Sequence, residues 1–166
     1  MLTIFFKKEK NIFNIEVFFN NISFNENTGG NAAVGLTDGS IGITGYSNNN
    51  DSQDIFVLKL DADGDEIWSR TIGGSQSDEG HDILALEDGG MIVLGVTHSQ
   101  GDEDGDIWIL EFDSDGNSVD TLLISMVGRQ VGYSFVETDL HEYVIGGITS
   151  SSNSGVTDAF IIKVDE

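Results

Sequence analysis

The stretch DGSIGITGYSNNNDSQDIFVLKLDADGDEIWSRTIGG, residues 38–74, decides the reading of this chain, because most of the remaining sequence repeats it. Two apolar runs, 41–47 and 54–60, lead into an Asp-x-Asp-Gly turn, and a third run, 66–72, closes on Gly73-Gly74. Aligning Asp38-Gly39 with Asp88-Gly89 sets an offset of 50, which carries Gly45 onto Gly95 and Ser47 onto Thr97. The next loop has six residues in the first copy (48–53) and eight in the second (98–105), so beyond it the offset is 52. Asp54 then falls on Asp106, Phe56 on Trp108, Lys59 on Glu111 and Gly64 on Gly116; a further 52 reaches Gly147, Thr149, Asp158, Phe160 and Asp165. A period sustained over this length marks a repeat architecture and outweighs local propensity.

Each copy reads as four strands. The first is expected at 32–37, 82–87 and 134–139, and the second at 41–47, 91–97 and 143–149. The third is expected at 54–60, 106–112 and 158–164, and the fourth at 66–72 with a weakened copy at 118–124. Asp-Gly between the first two strands is a hairpin signal, since glycine accepts the positive φ such turns need. In the third copy that dipeptide is Leu140-His141, so a differently built turn is expected there. Runs such as IFVLKL and IWILEF are apolar on both faces, interrupted once at Lys59, Glu111 and Lys163, which suits strands buried between stacked sheets. Residues 15–22 lie 50 before 65–72 and read as the outer strand of a preceding unit, with 2–7 as its third strand. The chain thus divides into an irregular segment with a half unit at 1–30, units at 31–80 and 81–132, and a third at 133–166 without its outer strand.

The expected fold is all-β, built from four-stranded antiparallel sheets of about 50 residues each, the material of propeller blades. Propellers close with about four to eight blades. Three units therefore imply a partial propeller or open array: a segment of a longer chain, or a chain that associates with copies of itself.

Three stretches carry a family likeness: DGGMIVLGVT (88–97), D-x-W-x-L-x-F-D-x-D-G (106–116) and IWSRTIGGSQSDEG (67–80). Together they resemble the glycine-rich β-propeller repeats of secreted and surface-anchored bacterial and archaeal proteins. The likeness covers about 31–165, and departs from the pattern at Asp120, where Trp68 stands one copy earlier, at Val127-Gly128, near the expected Gly-Gly, and in the third copy, which lacks DGG. It implies a blade fold and an extracellular or cell-envelope setting, and brings no catalytic motif with it. No signal peptide is visible: the opening MLTIFF is short, and its lysines follow the apolar residues instead of preceding them.

Charge and composition narrow the partners. Against 29 Asp and Glu stand only 7 Lys and Arg, a net charge of −22 that repels phosphate backbones and anionic lipid. Nucleic-acid binding is excluded on that ground, and no apolar run reaches the roughly 20 residues of a membrane-inserting helix. Cysteine is absent, which removes disulfides, thiolate metal sites and cysteine nucleophiles.

The candidate chemistry is cation binding. Asp61, Asp63 and Asp65, and again Asp102, Asp104 and Asp106, form D-x-D-G-D patterns whose carboxylates suit Ca²⁺, which takes 6–8 oxygens. The competing reading is that Asp and Gly are what such turns require in any case. Asp54, Asp106 and Asp158 open each third strand and are expected to fix the neighbouring loop through backbone N–H groups. Trp108 aligns with Phe56 and Phe160 and reads as core; Trp68 has no tryptophan one copy on and reads as more open. His81, His98 and His141 fall at three different repeat positions and read as surface or loop residues. No catalytic residues or bound cofactor other than Ca²⁺ are singled out. The function expected is therefore a non-enzymatic module that binds protein or glycan or acts as a scaffold. The alternatives are a hydrolase or lyase with a carboxylate and metal site at a propeller channel, and a truncated array without a function of its own.

Overall fold

The structure is a computed structural model that describes residues 4–5, 16–17, 27–49, 52–101, 103–139, 142–150 and 156–165. Among these residues there are thirteen strands and no helix. A short pair, β1 (Ile4–Phe5) and β2 (Glu16–Val17), sets Ile4 opposite Val17. The first four-stranded meander runs β3 (Thr28–Gly35), β4 (Ile41–Asn49), β5 (Ser52–Leu60) and β6 (Glu66–Ile72). The second runs β7 (Asp78–Ala85), β8 (Met91–Thr97), β9 (Asp106–Phe112) and β10 (Ser118–Ile124). A third sheet holds β11 (Arg129–Glu137), β12 (Glu142–Ser150) and β13 (Asp158–Asp165). Every pairing is between chain neighbours and antiparallel.

The second, third and fourth strands lie where the repeat puts them, within two residues. First strands differ: they begin at Thr28, Asp78 and Arg129, four or five residues ahead of expectation. The early residues are glycine-rich or polar (TGGN, DEGH), so they lack the alternation that announces a strand. They pair nonetheless, across a register shift between Gly30 and Ala32, Gly80 and Asp82, and Gly132 and Ser134.

The acidic turns share one construction. In 36–40, 61–65, 86–90 and 113–117 the first residue's N–H reaches the fifth residue's carbonyl at 2.9–3.0 Å. The fourth is a glycine at φ between 78° and 86°, a conformation glycine adopts without penalty. Aspartate supplies the rest: Asp61 Oδ1 accepts from the backbone N–H of Asp63 and Asp65, and Asp113 Oδ1 from Asp115 and Asn117. Residues 140 and 141 lie outside the described part, yet Thr138 N–H closes on the Glu142 carbonyl at 2.8 Å, the same five-residue span.

Because successive side chains point to opposite faces, each central strand feeds two cores. Met91 and Val93 on β8, with Leu110 and Phe112 on β9, meet Ile55, Val57 and Trp68 of the first sheet. Ile92, Leu94 and Ile107 meet Phe135 and Ile145 of the third. A further cluster, Phe56, Leu58 and Leu60, occupies the other face of the first sheet. The sheets are therefore stacked in series, with β7 packed on β3, β4 and β5, and β11 packed on β7, β8 and β9.

One polar knot holds the first interface. The Lys59 side chain, 4% exposed, lies 3.4 Å from Asp38 Oδ2 and donates to the Gly89 carbonyl across the interface. Trp68 Nε1–H donates to the Ser114 carbonyl at 3.0 Å, and Arg70 Nε–H to the Gly116 carbonyl at 2.8 Å. Gly116 is required twice over, by its φ of 78° and because a Cβ there would stand 2.6 Å from the Trp68 ring. Trp68, expected to be open, is buried; the outer strand lays it on the neighbouring turn. Trp108 packs against the first core as expected. No helix among the described residues is long and apolar enough to cross a membrane.

Trp68→Ala removes a buried indole and its hydrogen bond to the Ser114 carbonyl, and urea unfolding should show a loss of about 3–5 kcal/mol. Leu123→Ala, on a strand whose side chains are largely exposed, should cost less than about 1 kcal/mol; equal losses would contradict the packing described. Asp38 offers a second check, since its pKa falls from 3.8 to about 2. The Ser40 hydroxyl is the main cause, followed by the Ser40 N–H, with Lys59 adding to both against some desolvation. A depressed folded pKa stabilises above the unfolded value, so this contribution is complete above pH 3.8 and fades as the pH falls towards 2. Carboxyl NMR should place the Asp38 midpoint near 2, and Asp38→Asn should flatten stability across that window; a midpoint at 3.8 would refute the assignment.

Candidate functional site

The register shifts in the first strands aim three side chains at one place. Gly30 faces Gly45, Gly80 faces Gly95 and Gly132 faces Gly147, and the next residue of each first strand is the extra one: Asn31, His81 and Tyr133. Glycine is needed on the second strand because the strands approach closely there. A Cβ on Gly45 would run into the Gly29 carbonyl, and one on Gly147 into that of Val131. A bulge re-aims the side chain it carries. Here all three line a cleft of about 460 Å³ where β3, β7 and β11 lie side by side.

The bulge residues also bind the sheets together. Asn31 Nδ2–H donates to the Gly80 carbonyl at 2.9 Å, and His81 Nδ1 lies 2.8 Å from the Gly132 carbonyl. These are the same bond one repeat apart. A carbonyl can only accept, so Nδ1 of His81 carries a proton and Nε2 faces the cleft side, 3.8 Å from Glu79 Oε2. Glu79 Oε1 in turn accepts from Asn31 Nδ2 at 2.8 Å. The His81 ring stacks on Tyr133, centroids 5.5 Å apart and 23° between planes.

His98 enters the cleft from the loop after β8. Its Nδ1 lies 2.8 Å from the Ser77 carbonyl, so it too donates there and leaves Nε2 free of that bond. Asp78, fully buried, sets this loop: Oδ1 accepts from the His98 N–H, and Oδ2 from the Gly74 N–H and the Ser99 hydroxyl. One repeat on, Gln130 is equally buried and does the same with its amide, accepting from Met126 N–H and donating to the Gly128 carbonyl. Arg129, next to it, lines the cleft. The cleft is thus a set of fixed donors and acceptors around an aromatic ring over Val96 and Val131, suited to holding a small polar molecule.

The residues expected to bind a cation lie elsewhere. Asp61, Asp63 and Asp65 form the turn after β5, whereas Asp104 and Asp106 precede and open β9, at the opposite end of the equivalent strand. The two patterns cannot share an ion. Asp63, Asp65 and Asp104 are exposed and Asp106 is fully buried; Asp102 lies outside the described residues. Among those residues no group of three or more His, Asp or Glu is gathered as a metal site. Of the aspartates opening the third strands, Asp54 and Asp106 are buried and Asp158 is exposed. His141 is outside the described part, while His81 and His98, unrelated in repeat position, are brought together. The repeat could have flagged Asn31, His81 and Tyr133 as one position, but only the bulge shows that they turn inward.

Comparison with protein-family models gave no match, and comparison with curated proteins gave none.

A calcium titration reads the acidic turns directly. With Asp61 and Asp113 committed to backbone N–H groups, millimolar Ca²⁺ should move the melting temperature by less than about 1 °C; a rise of several degrees would show an ion bound to the folded chain.

Proposed function

We propose that this chain is a run of β-propeller-type blades acting as a non-enzymatic binding and scaffolding module, with the bulge-lined cleft as its contact point for a protein or glycan. One observation carries the reading. The scaffold positions repeat (the glycine pairs, the turn aspartates), whereas the bulge position that opens onto the cleft changes from Asn31 to His81 to Tyr133. Constant framework with a varied presented surface is how binding folds are built. The meander topology and serial stacking of the sheets support the blade interpretation, as does the resemblance of the repeat motifs to glycine-rich propeller repeats. That resemblance also favours an extracellular or cell-envelope setting. The outward face of the third sheet is apolar, with Ile161 81% exposed and Val136 53%. An uncovered face of this kind suits a further sheet of the same type, from a longer chain or a second copy.

The test is a glycan-array and peptide-array screen of the chain beside its Tyr133→Ala variant. Retention by the parent that the variant loses, with unchanged circular dichroism, supports the reading. An identical binding profile for both would overturn the cleft as the contact point. Chemical turnover of a retained compound would favour instead a hydrolase or lyase.

A further inference from the structure

Resting on the cleft as a ligand site, we propose that it takes an acidic saccharide, a sugar unit bearing a carboxylate, with the carboxylate on Arg129 and the sugar's C–H face on Tyr133. Positive charge is scarce here, and the structure commits nearly all of it. Of the four Lys and Arg among the described residues, Lys59 is tied to Asp38 and the Gly89 carbonyl, and Arg70 to the Gly116 and Asp115 carbonyls. Lys163 is paired with Glu142 and Asp165. The Arg129 side chain makes no hydrogen bond or ion pair with the described residues, and the residue lines the cleft. In a chain of net charge −22, Arg129 shares the lining of this cleft with His81 and His98. A guanidinium presents paired N–H donors that match a carboxylate in plane.

The rest of the cleft asks for more than a carboxylate. Tyr133 is 51% exposed, with one ring face held by His81 and the other available for stacking. Glu79 is an acceptor that a sugar hydroxyl can satisfy, and the Nε2 atoms of His81 and His98 add polar contacts nearby. About 460 Å³ has room for one or two pyranose rings and lies within the range of small-molecule sites. A peptide fits less well. It would dock by adding a strand to an open edge, and the bulges at Asn31, His81 and Tyr133 interrupt each of the three first-strand edges at this point.

The test is NMR titration of the whole chain with three probes: a disaccharide ending in glucuronate, the same disaccharide ending in glucose, and the peptide acetyl-Gly-Glu-Gly-amide. The expected result is saturable binding of the glucuronate sugar, shifting Tyr133 and Arg129 signals, with the glucose sugar about tenfold weaker. Arg129→Gln, at an exposed side chain bonded to none of the described residues, should abolish that preference, bringing the glucuronate sugar's affinity down to the glucose sugar's. Tyr133→Ala should weaken both sugars. Equal affinity for the two sugars, or a preference surviving Arg129→Gln, overturns the acidic-sugar assignment and leaves the cleft a ligand site. Tighter binding of the peptide overturns it in favour of a protein partner. If no probe shifts a cleft signal, the assignment falls together with the reading beneath it.

Discussion

A sheet that is apolar on both faces is stable only between two neighbours, and this constraint governs the arrangement of the whole chain. The middle sheet meets it in full: Met91 and Val93 turn one way, Ile92 and Leu94 the other, and all four are buried. Each fully buried aliphatic side chain contributes about 1.5–3 kcal/mol, so the two cores dominate whatever the polar groups add. Many acidic residues are left to the turns, where the carboxylates of Asp38, Asp61, Asp88 and Asp113 close the backbone. Asp54, Asp78 and Asp106 are buried in strands instead.

The two interfaces use the same geometry with different chemistry. At the first, Lys59, Trp68 and Arg70 reach across to turn carbonyls and lock the outer strand of one sheet to the next. One repeat on, Glu111 stands in place of Lys59 and Asp120 in place of Trp68. Neither carboxylate can donate to a carbonyl, and β10 is exposed along nearly its whole length. A gap of about 320 Å³ opens there, between Ile109, Glu111 and Asp120 on one side and Tyr143 and Val164 on the other. The second interface is therefore held by its inner strands, through His81, the bond from Ser134 to Asp82, and the Phe135 and Ile145 core.

How much of this is legible in the sequence depends on which forces are local. The turns are legible because aspartate and a positive-φ glycine act within five residues, and Met91–Thr97 and Asp106–Phe112 because their runs are mostly apolar, the second interrupted at Glu111. The starts of the first strands are not: a glycine pair and a polar residue at a bulge give no periodicity, and the pairing depends on the partner strand. Trp68 reads as open in the sequence because its burial comes from a turn 46 residues away. The cleft is hidden for a related reason. His81 and His98 share no repeat position, and they meet only because a bulge turns one inward while buried Asp78 fixes the loop carrying the other.

The bulge resolves a conflict inherent in such a stack. A first strand has to pack its regular side chains on the preceding sheet, as Ile83 does, and cannot spare them for the cleft. Adding one residue without lengthening the partner strand frees a side chain from the two-residue alternation. The facing glycines let the strands close up around it. That freed residue can vary between copies without disturbing the core, and both Asn31 and His81 bond a carbonyl of the next sheet. Tyr133 takes up the stacking contact with His81. Core packing and the lining of the cleft are thereby assigned to different residues of the same strand, which allows nearly identical frameworks to present an amide, an imidazole and a phenol to one cleft.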